Sequence, residues 1–406
     1  MSPAARPPEV LVRDPGPPPP EPADEVLDPM AFHRTIPGYE PTPVCPVPDL
    51  AAELGVGELW VKDQSRCLGL PSFKLLGGSW AVNRLILERA GLPLEGAGWA
   101  DLRAAAAGMG DVTLVTATDG NHGRGVAHMA RVLGLGAVIL VPQGTSQARI
   151  GALQDEGAEV RVHPGSYDQA VEAAAAAATG QGWLLVADVA TGTDLTVPSW
   201  VMDGYQTIFA ECADQLPGPV DAVVVQAGVG ALAGAAARFY LSRPRPPRMA
   251  VVEPLTAACC LASARADQRV SIDATQDSIM VGLNCGTPSV VAWPYIQAAT
   301  SVYCAIDDEW ARQAMRRLAV VGIEAGESGA AGLAGLLALS HHQPARQALG
   351  LDPRARVLIL NTEGATDPGA YRAVVGDIAV NNQEGRRREP SAEMPAGTVG
   401  VAQGGT

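Results

Sequence analysis

The stretch Asp221-Ala-Val-Val-Val-Gln-Ala-Gly-Val-Gly-Ala-Leu-Ala-Gly234 decides the fold. Its run of valines predicts a strand buried on both faces, and the alanine-rich segment after it predicts a helix. Between them, Gly228 and Gly230 allow a tight turn whose backbone amides can point at an anion. The new helix adds the positive end of its dipole. The stretch therefore predicts a phosphate site where a strand turns into a helix.

The loop does not identify the molecule that carries the phosphate. The segment Gly228-Val-Gly230-Ala-Leu-Ala233 fits the glycine pattern of dinucleotide-binding loops, and Glu253 ends the next predicted strand, where an acid would bind a ribose. A nicotinamide dehydrogenase and an enzyme with another phosphorylated cofactor are both open at this point. A close strand-to-helix turn without a ligand is the structural alternative.

Strand and helix signals alternate on both sides of this stretch. Short apolar runs predict strands at 111–117, 137–141, 160–162, 184–186, 222–225, 249–252 and 357–360, and helical patterns occupy 125–133, 167–178 and 231–241. This alternation predicts parallel sheets that helices cover on both faces. Ligands of such sheets bind at the carboxyl ends of the strands. The loops 118–124, 228–234 and 361–367 are therefore the candidate site loops.

The composition excludes several classes of partner. Of the 406 residues, 47% are hydrophobic and 18% are charged, so the chain can bury a large core. The formal net charge of -14 disfavours nucleic acid and anionic membrane surfaces as partners. The chain has no apolar stretch of transmembrane length, and its proline-rich start lacks the apolar region of a signal peptide. We therefore expect a cytoplasmic protein.

The spacing of cysteines and histidines predicts neither a metal site nor a disulfide scaffold. None of the seven cysteines forms a C-x-x-C pair, and the six histidines are scattered apart from His341-His342. Most of the cysteines are expected to be small buried thiols.

The segment Pro71-Ser72-Phe73-Lys74-Leu-Leu-Gly77-Gly78 distinguishes between the cofactors. Here a lysine opens an apolar helix, where a hydrated cation is costly unless it is neutralised or bonded. A Schiff base with pyridoxal 5′-phosphate (PLP) removes this charge, and lysine is the residue that such chemistry requires. A surface lysine on a helix is the structural alternative.

A third segment, Thr118-Asp119-Gly120-Asn121-His122-Gly123, follows a predicted strand and opens a helix. Its glycines permit a tight loop whose amides can hold a substrate carboxylate. Asn121 can donate a hydrogen bond to a phenolic oxygen, and Asp119 can act as an acid or a base. An ordinary capped helix explains Asp119 or Asn121 singly, but not the whole segment.

The order of these motifs resembles that of fold-type II PLP enzymes, which include serine and threonine dehydratases. Four longer segments are similar to the diaminopropionate ammonia-lyase family, and the resemblance covers about residues 36–378. These segments are Thr118-Asp-Gly-Asn-His-Gly-Arg-Gly-Val-Ala127, Val281-Gly-Leu-Asn-Cys-Gly-Thr-Pro288, Gly326-Glu-Ser-Gly329 and Asn361-Thr-Glu-Gly-Ala-Thr-Asp-Pro368.

The resemblance implies an α/β fold of two three-layer α/β/α domains with mostly parallel twisted sheets and PLP in the cleft between them. Residues 36–109 and 190–380 would form the large PLP-binding domain, and residues 110–189 the small substrate-loop domain. The proline-rich residues 1–35 and the polar residues 381–406 are predicted to be disordered tails. The resemblance also implies a homodimer.

The resemblance further implies roles for individual residues. Lys74 matches the Schiff-base lysine, Asn121 the asparagine beside the 3′ oxygen of the cofactor, and Thr362 the hydroxyl at the pyridine nitrogen. Cofactor contacts are implied for Phe73, Lys74, Asn121, Gly228, Val229, Gly230, Ala231, Leu232 and Thr362. Substrate contacts are implied for Thr118, Asp119, Gly120, Asn121 and His122. Catalytic roles are implied for Lys74, Asp119 and Asp188.

Asp188 is assigned by register. Pro198-Ser-Trp200 and Gly204-Tyr205 align with the segment that follows the second aspartate of the family, and this alignment puts Asp188 at the aspartate position. The intervening Val189 to Asp194 lacks the aromatic residues that this segment is expected to carry. The register therefore predicts a second catalytic aspartate, and the departure leaves the substrate open. Cys259 or Cys260 could approach Cys285, but no spacing rule predicts a disulfide between them.

The reaction implied is PLP-dependent α,β-elimination on 2,3-diaminopropionate, which yields pyruvate and ammonia. A carboxylate at position 119 suits a β-ammonium group because opposite charges pair, whereas a serine there would suit a β-hydroxyl. The nearest alternative is another elimination or a β-replacement on a 3-substituted alanine. A nicotinamide dehydrogenase and a non-enzymatic PLP-binding protein are more distant alternatives.

Overall fold

The computed structural model describes residues 5–19, 28–118, 120–165, 167–190, 194–273 and 277–376. The strands are β1 Glu9–Val12, β2 Val44–Pro46, β3 Glu58–Asp63, β4 Thr113–Ala117, β5 Gly136–Pro142, β6 Glu159–His163, β7 Leu184–Leu185, β8 Ala222–Gln226, β9 Arg248–Pro254, β10 Thr300–Ile306 and β11 Arg356–Asn361.

The helices lie mostly between these strands. They are α1 Pro29–His33, α2 Pro48–Leu54, α3 Lys74–Arg89, α4 Trp99–Gly108, α5 Asn121–Leu133, α6 Gln147–Asp155, α7 Tyr167–Gln181, α8 Thr196–Gly204, α9 Gln206–Gln215, α10 Ala231–Leu241, α11 Cys259–Ala266, α12 Trp293–Ala299, α13 Asp308–Val320, α14 Ala331–Leu339, α15 Gln343–Leu349 and α16 Pro368–Val375. Among the described residues, no helix combines the length and apolar character needed to cross a membrane.

The described strands form two sheets. The larger has seven strands in the order β1-β10-β9-β8-β11-β3-β2, and the smaller has four in the order β6-β5-β4-β7. All pairs are parallel except β1 with β10 and β2 with β3 at the two edges of the larger sheet. The predicted mostly parallel α/β fold is therefore confirmed.

Helices cover both faces of the larger sheet. Along β8, Val223 and Val225 point into one hydrophobic core, whereas Ala222 and Val224 point into another, as the two-residue period of a strand requires. The first core includes α3, α8, α9 and α10, and the second includes α2, α13, α14 and α15. These apolar, doubly covered strands explain the continuous valine runs in the sequence.

The smaller sheet is also covered on both faces. Leu114 and Ile139 belong to the core that α3 and α5 share with the larger sheet, whereas Val115 and Val138 pack with α7 on the opposite face. The two sheets are thus joined through one apolar core. The strands of the smaller sheet fall within residues 110–189, and the exact domain boundaries remain a prediction.

The predicted disorder of residues 1–35 does not hold for two segments. Residues 9–12 form β1, which pairs antiparallel with β10, and residues 29–33 form α1 with Met30 and Phe32 buried. The nearby prolines predicted an extended tail. β1 forms nevertheless, because its hydrogen-bond partners belong to β10, a strand far along the chain. Residues 1–4, 20–27 and 381–406, which belong to the two predicted tails, lie outside the described residues.

A buried ion pair connects strand β3 of the larger sheet to helix α9. Lys62 on β3 is fully buried, and its Nζ lies 2.6 Å from Glu211 Oε2 on α9 and donates to the Thr42 carbonyl at 2.6 Å. Glu211 also accepts hydrogen bonds from the Tyr39 hydroxyl at 2.7 Å and the Thr42 backbone amide at 3.1 Å. Lys62 therefore has its charge compensated within the core, away from solvent.

Replacing Glu211 by alanine is expected to lower the free energy of unfolding by about 3–5 kcal/mol, because it leaves the Lys62 ammonium buried without its counter-ion. Chemical denaturation followed by circular dichroism measures this change. Asp214→Ala is the control, because Asp214 pairs with Arg34 at the surface and such a pair contributes at most about 1 kcal/mol. Equal losses in the two variants would contradict the prediction.

Candidate active site

A cavity of about 530 Å³ lies where loops from both sheets meet. The loops that follow β8 and β11 contribute to its wall, and so does the start of α5, which follows β4. Its volume is in the range of about 300–1,000 Å³ that ligand pockets occupy. The residues predicted for the site that line it are Phe73, Lys74, Asn121, Asp188, Gly228, Val229, Gly230, Ala231, Leu232 and Thr362.

Lys74 begins α3 and carries its amine into this cavity. The positive end of the helix dipole disfavours a cation there, so the ammonium needs compensation. Asp188 supplies it, since Lys74 Nζ donates to Asp188 Oδ2 at 3.1 Å. The ring centroids of Phe73 and Tyr205 lie 5.6 and 5.9 Å from the same nitrogen, which adds cation–π attraction.

Asp188 lies shortly after β7 and is buried. Burial acts to raise the pKa of Asp188, but attraction to His122 and Lys74 and the hydrogen bond from Lys74 outweigh it and hold the pKa below its ordinary value. Asp188 is therefore a carboxylate at neutral pH. The register of the sequence predicted Asp188 as a catalytic aspartate. Nothing in the local sequence indicates its contact with Lys74.

His122 lies behind Asp188 rather than in the wall of the main cavity. Its Nε2 is 2.8 Å from the Val186 carbonyl, which can only accept, so Nε2 carries a proton. Its Nδ1 then faces Asp188 Oδ2 at 3.9 Å. Gly120 and His122 line a smaller adjoining cavity of about 60 Å³, to which Lys74 and Asn121 also contribute.

Thr118 shapes the loop before α5. Its hydroxyl oxygen accepts hydrogen bonds from the backbone amides of Gly120 at 3.0 Å and Gly123 at 3.2 Å, and the residue lines neither of these two cavities. A Cβ on Gly123 would lie 2.2 Å from Thr118 Cγ2, so the loop requires glycine there. Asp119 lies outside the described residues, and its predicted roles remain predictions.

The glycine-rich loop after β8 has the backbone that the sequence predicts. Gly230 has φ +90° and precedes α10, whose first residue is Ala231. A Cβ on Gly228 would lie 3.0 Å from the Gly282 carbonyl oxygen, and one on Gly230 would lie 2.5 Å from Ile296 Cδ1. The positive φ of Gly230 therefore favours glycine, and Gly228 lies in close contact with the Gly282 backbone. The amino end of an 11-residue helix borders the cavity.

Thr362 is held by Gln226, a residue that none of the sequence motifs indicated. Gln226, at the end of β8, donates from Nε2 to Thr362 Oγ1 at 3.1 Å and to the Ser328 carbonyl at 3.0 Å, and it lines the cavity. A polar residue that ends an otherwise apolar strand was the available signal. Gln226 therefore fixes the position of the Thr362 oxygen.

Glu363 was also missed. It is buried, lines the cavity, and accepts a hydrogen bond from Asn121 Nδ2 at 2.5 Å and one from the Ser328 amide at 3.2 Å. Burial raises the pKa of Glu363, while Arg149 and the hydrogen bonds act in the opposite direction. The signal was its position inside the 361–368 segment, directly after the predicted Thr362.

Glu253 is not placed to bind a ribose. It is fully buried, and its two carboxylate oxygens accept from the backbone amides of Cys260 at 2.6 Å and Leu261 at 2.8 Å. The nicotinamide dehydrogenase alternative therefore lacks the carboxylate that would bind the ribose of the cofactor. Cys259 and Cys260 are buried and form no disulfide within the described residues.

Comparisons with known proteins agree with this fold. Residues 35–363 match the sequence profile of a protein family described as pyridoxal-phosphate dependent enzyme. The diaminopropionate ammonia-lyase of Salmonella typhimurium is 37% identical over 366 residues, which cover 85% of this chain and 90% of that protein.

Solved structures of the Escherichia coli diaminopropionate ammonia-lyase are similar in fold. One, in complex with an aminoacrylate-PLP azomethine reaction intermediate, has a TM-score of 0.78 at 36% identity and covers 86% of this chain and 91% of that chain. The selenomethionine holo form has a TM-score of 0.82 at 34% identity, with 92% and 98% covered. The predicted fold-type II architecture is confirmed by these matches. The chain belongs to the diaminopropionate ammonia-lyase family of PLP-dependent enzymes.

Proposed function

We propose that this protein catalyses the PLP-dependent elimination of ammonia from 2,3-diaminopropionate. The reaction takes up one water and releases one pyruvate and two ammonia for each substrate molecule. Its support is the family membership together with one observation on the lysines of the chain.

The chain contains only two lysines, Lys62 and Lys74. Covalent attachment of PLP requires a lysine amine that reaches the cofactor. The amine of Lys62 is fully buried against Glu211 and Thr42, whereas Lys74 lines the cavity. Lys74 is therefore the residue that we propose as the attachment site.

The cavity residues fit PLP. The backbone amides of residues 228–232 and the amino end of α10 would hold its phosphate, in a turn that contains Gly228 and the positive-φ Gly230. Asn121 would donate to its phenolic oxygen, and Thr362 would face its ring nitrogen. When bound, PLP supplies an aldehyde that condenses with amines and a conjugated ring that stabilises a carbanion.

The residues of the chain would then move the protons. As a free amine, Lys74 Nζ takes up the Cα proton of the substrate, and Asp188 Oδ2 at 3.1 Å stabilises the ammonium that results. His122 lies close behind Asp188 and helps to keep it ionised. We propose Asp119, from its position in the 118–123 loop, as the group that pairs with the departing β-amine.

Replacing Gly230 by alanine is expected to weaken PLP affinity by roughly 10- to 100-fold, because a side chain at φ +90° beside Ile296 adds strain of about 1–3 kcal/mol to the phosphate loop. Fluorescence titration of the apoprotein with PLP measures the affinity. Gly134→Ala is the matched control, because Gly134 has φ +73° at the end of α5 with open space around it. Unchanged PLP affinity in Gly230→Ala would contradict the assignment of the loop.

The substrate is tested by incubating the PLP-loaded protein with each enantiomer of 2,3-diaminopropionate, and with serine and threonine, while pyruvate or the corresponding keto acid is followed. We expect pyruvate and ammonia in a ratio of about one to two from diaminopropionate. Turnover of serine or threonine without turnover of diaminopropionate would contradict the proposed substrate.

Another elimination or a β-replacement on a 3-substituted alanine is the second candidate. The segment from Val189 to Asp194 directly follows Asp188 and contains no aromatic residue. This departure from the family pattern favours a different 3-substituted alanine as the substrate. Added thiol or amine nucleophiles would give a substituted amino acid in place of pyruvate if replacement dominates. The cytoplasmic location and the homodimer remain predictions, and light scattering of the purified protein tests the latter.

A further inference from the structure

The carboxylate of Glu363 connects loops of the two sheets. Its Oε2 accepts from Nδ2 of Asn121, the first residue of α5, at 2.5 Å. Its Oε1 accepts from the Ser328 amide at 3.2 Å, and its backbone carbonyl accepts from the Gly326 amide at 3.0 Å. Only 6% of Glu363 is exposed. The acceptor that faces Asn121 is therefore fixed at both its side chain and its backbone.

The segment Gly326-Glu-Ser-Gly329 encloses this carboxylate. A Cβ on Gly326 would lie 3.1 Å from both Cγ and Oε1 of Glu363, and one on Gly329 would lie 2.4 Å from its backbone oxygen. Side chains at either position would displace Glu363. The segment 326–329 therefore holds Glu363 in place, although it is separate from the phosphate loop and from Lys74.

A carboxylate controls the orientation of the neighbouring amide. The asparagine amide has an acceptor oxygen and a nitrogen with two donor hydrogens, so a partner amide could accept either orientation. An ionised carboxylate only accepts, so it selects the orientation in which Nδ2 faces Glu363. The second N–H of Nδ2 is then left for an acceptor in the cavity that Asn121 lines.

We propose that Glu363 is a positioning residue that acts on the cofactor through Asn121: it fixes the amide so that a donor, not the amide oxygen, serves the phenolic oxygen of PLP. This inference rests on the proposed PLP function. A hydrogen bond to that oxygen sets the distribution of the bound cofactor between its absorbing forms, so the effect of Glu363 is visible in the absence of substrate.

The test is a double-mutant cycle on the PLP-loaded protein with Glu363→Gln, Asn121→Ala and the combined variant. The readouts are the absorbance spectrum of bound PLP as a function of pH and the affinity for PLP, with thermal unfolding as the check on folding. We expect Glu363→Gln to shift the balance of absorbance bands and to weaken PLP binding by about tenfold, as loss of a charged hydrogen bond implies. We expect no further change when Asn121 is already alanine.

Two further variants separate positioning from packing. Glu363→Asp keeps an acceptor-only partner and should have a spectrum closer to the wild type than that of Glu363→Gln. Glu324→Gln is the matched control, because Glu324 Oε1 accepts from the Ala365 amide at 3.2 Å on the same loop and does not line the cavity.

Equal shifts from Glu363→Gln in the presence and absence of the Asn121 side chain would overturn the inference. A folded Glu363→Gln protein with the wild-type spectrum and PLP affinity would overturn it as well. These measurements need no substrate, so failure to convert diaminopropionate would count against the proposed reaction alone. Failure of the wild-type protein to bind PLP would overturn the proposed function and this inference together.

Discussion

Lys74→Ala is expected to lower kcat for diaminopropionate by about 10⁴-fold or more and to remove the yellow absorbance of covalently attached PLP. The variant loses both the attachment point and the amine that takes up the Cα proton. The one remaining lysine, Lys62, cannot replace it, because its amine is fully buried against Glu211. Steady-state kinetics and an absorbance spectrum of the purified variant measure the two effects.

Lys74→Arg is the matched control for charge. It keeps a cation beside Asp188 but offers no amine for attachment, so we expect it to be as inactive as Lys74→Ala while retaining a wild-type unfolding temperature. Both variants should still bind PLP weakly through the phosphate loop. A Lys74→Ala protein that carries a covalently attached phosphopyridoxyl group after borohydride reduction would refute the assignment.

Asp188→Asn is expected to lower kcat by roughly 10²- to 10³-fold with a smaller effect on KM, because a neutral amide cannot stabilise the ammonium that forms when Lys74 takes up the Cα proton. The variant nearly preserves the shape of the side chain, so the loss reports charge rather than packing. Interactions with His122 and Lys74 hold the pKa of Asp188 below its ordinary value. The carboxylate should therefore stay ionised in the wild type throughout the neutral range.

Asp203→Asn is the matched control for this change. Asp203 is a largely buried carboxylate on α8 that pairs with Arg238, and it does not line the cavity. Burial, only partly offset by Arg238, raises its pKa to about 6. We expect unchanged kcat for the folded Asp203→Asn protein. A kcat for Asp188→Asn within about twofold of the wild type would remove Asp188 from the proton path.

The parts of the site that local chemistry dictates could be predicted from the sequence. The turn at Gly230 and the helix that begins at Ala231 follow from a glycine pattern, and Lys74 follows from a cation placed in an apolar segment. The Lys74–Asp188 contact joins residues 114 positions apart, and the Asn121–Glu363 contact joins residues 242 positions apart. Composition and periodicity carry no information about such pairs. The family resemblance implied catalytic roles for Lys74 and Asp188 without indicating their contact, and it implied no role for Glu363.

Strands β1 and β3 were not predicted from the sequence, and the reason is again that their partners are distant in the chain. β3 contains Glu58, Lys62 and Asp63, so it lacks the apolar run of a central strand, yet it pairs with β11, and Glu211 from a distant helix neutralises its buried Lys62. β1 depends on the edge of β10 for its hydrogen bonds. In both cases tertiary partners, not local propensity, decide the structure.

The most direct test of the central claim is to reduce the PLP-loaded protein with borohydride and to locate the added phosphopyridoxyl group by peptide mass mapping. With two lysines in the chain, the result is unambiguous. We predict stoichiometric labelling of the peptide that contains Lys74 and none of the peptide that contains Lys62. Labelling at Lys62, or no labelling of a protein that turns over diaminopropionate, would contradict the account.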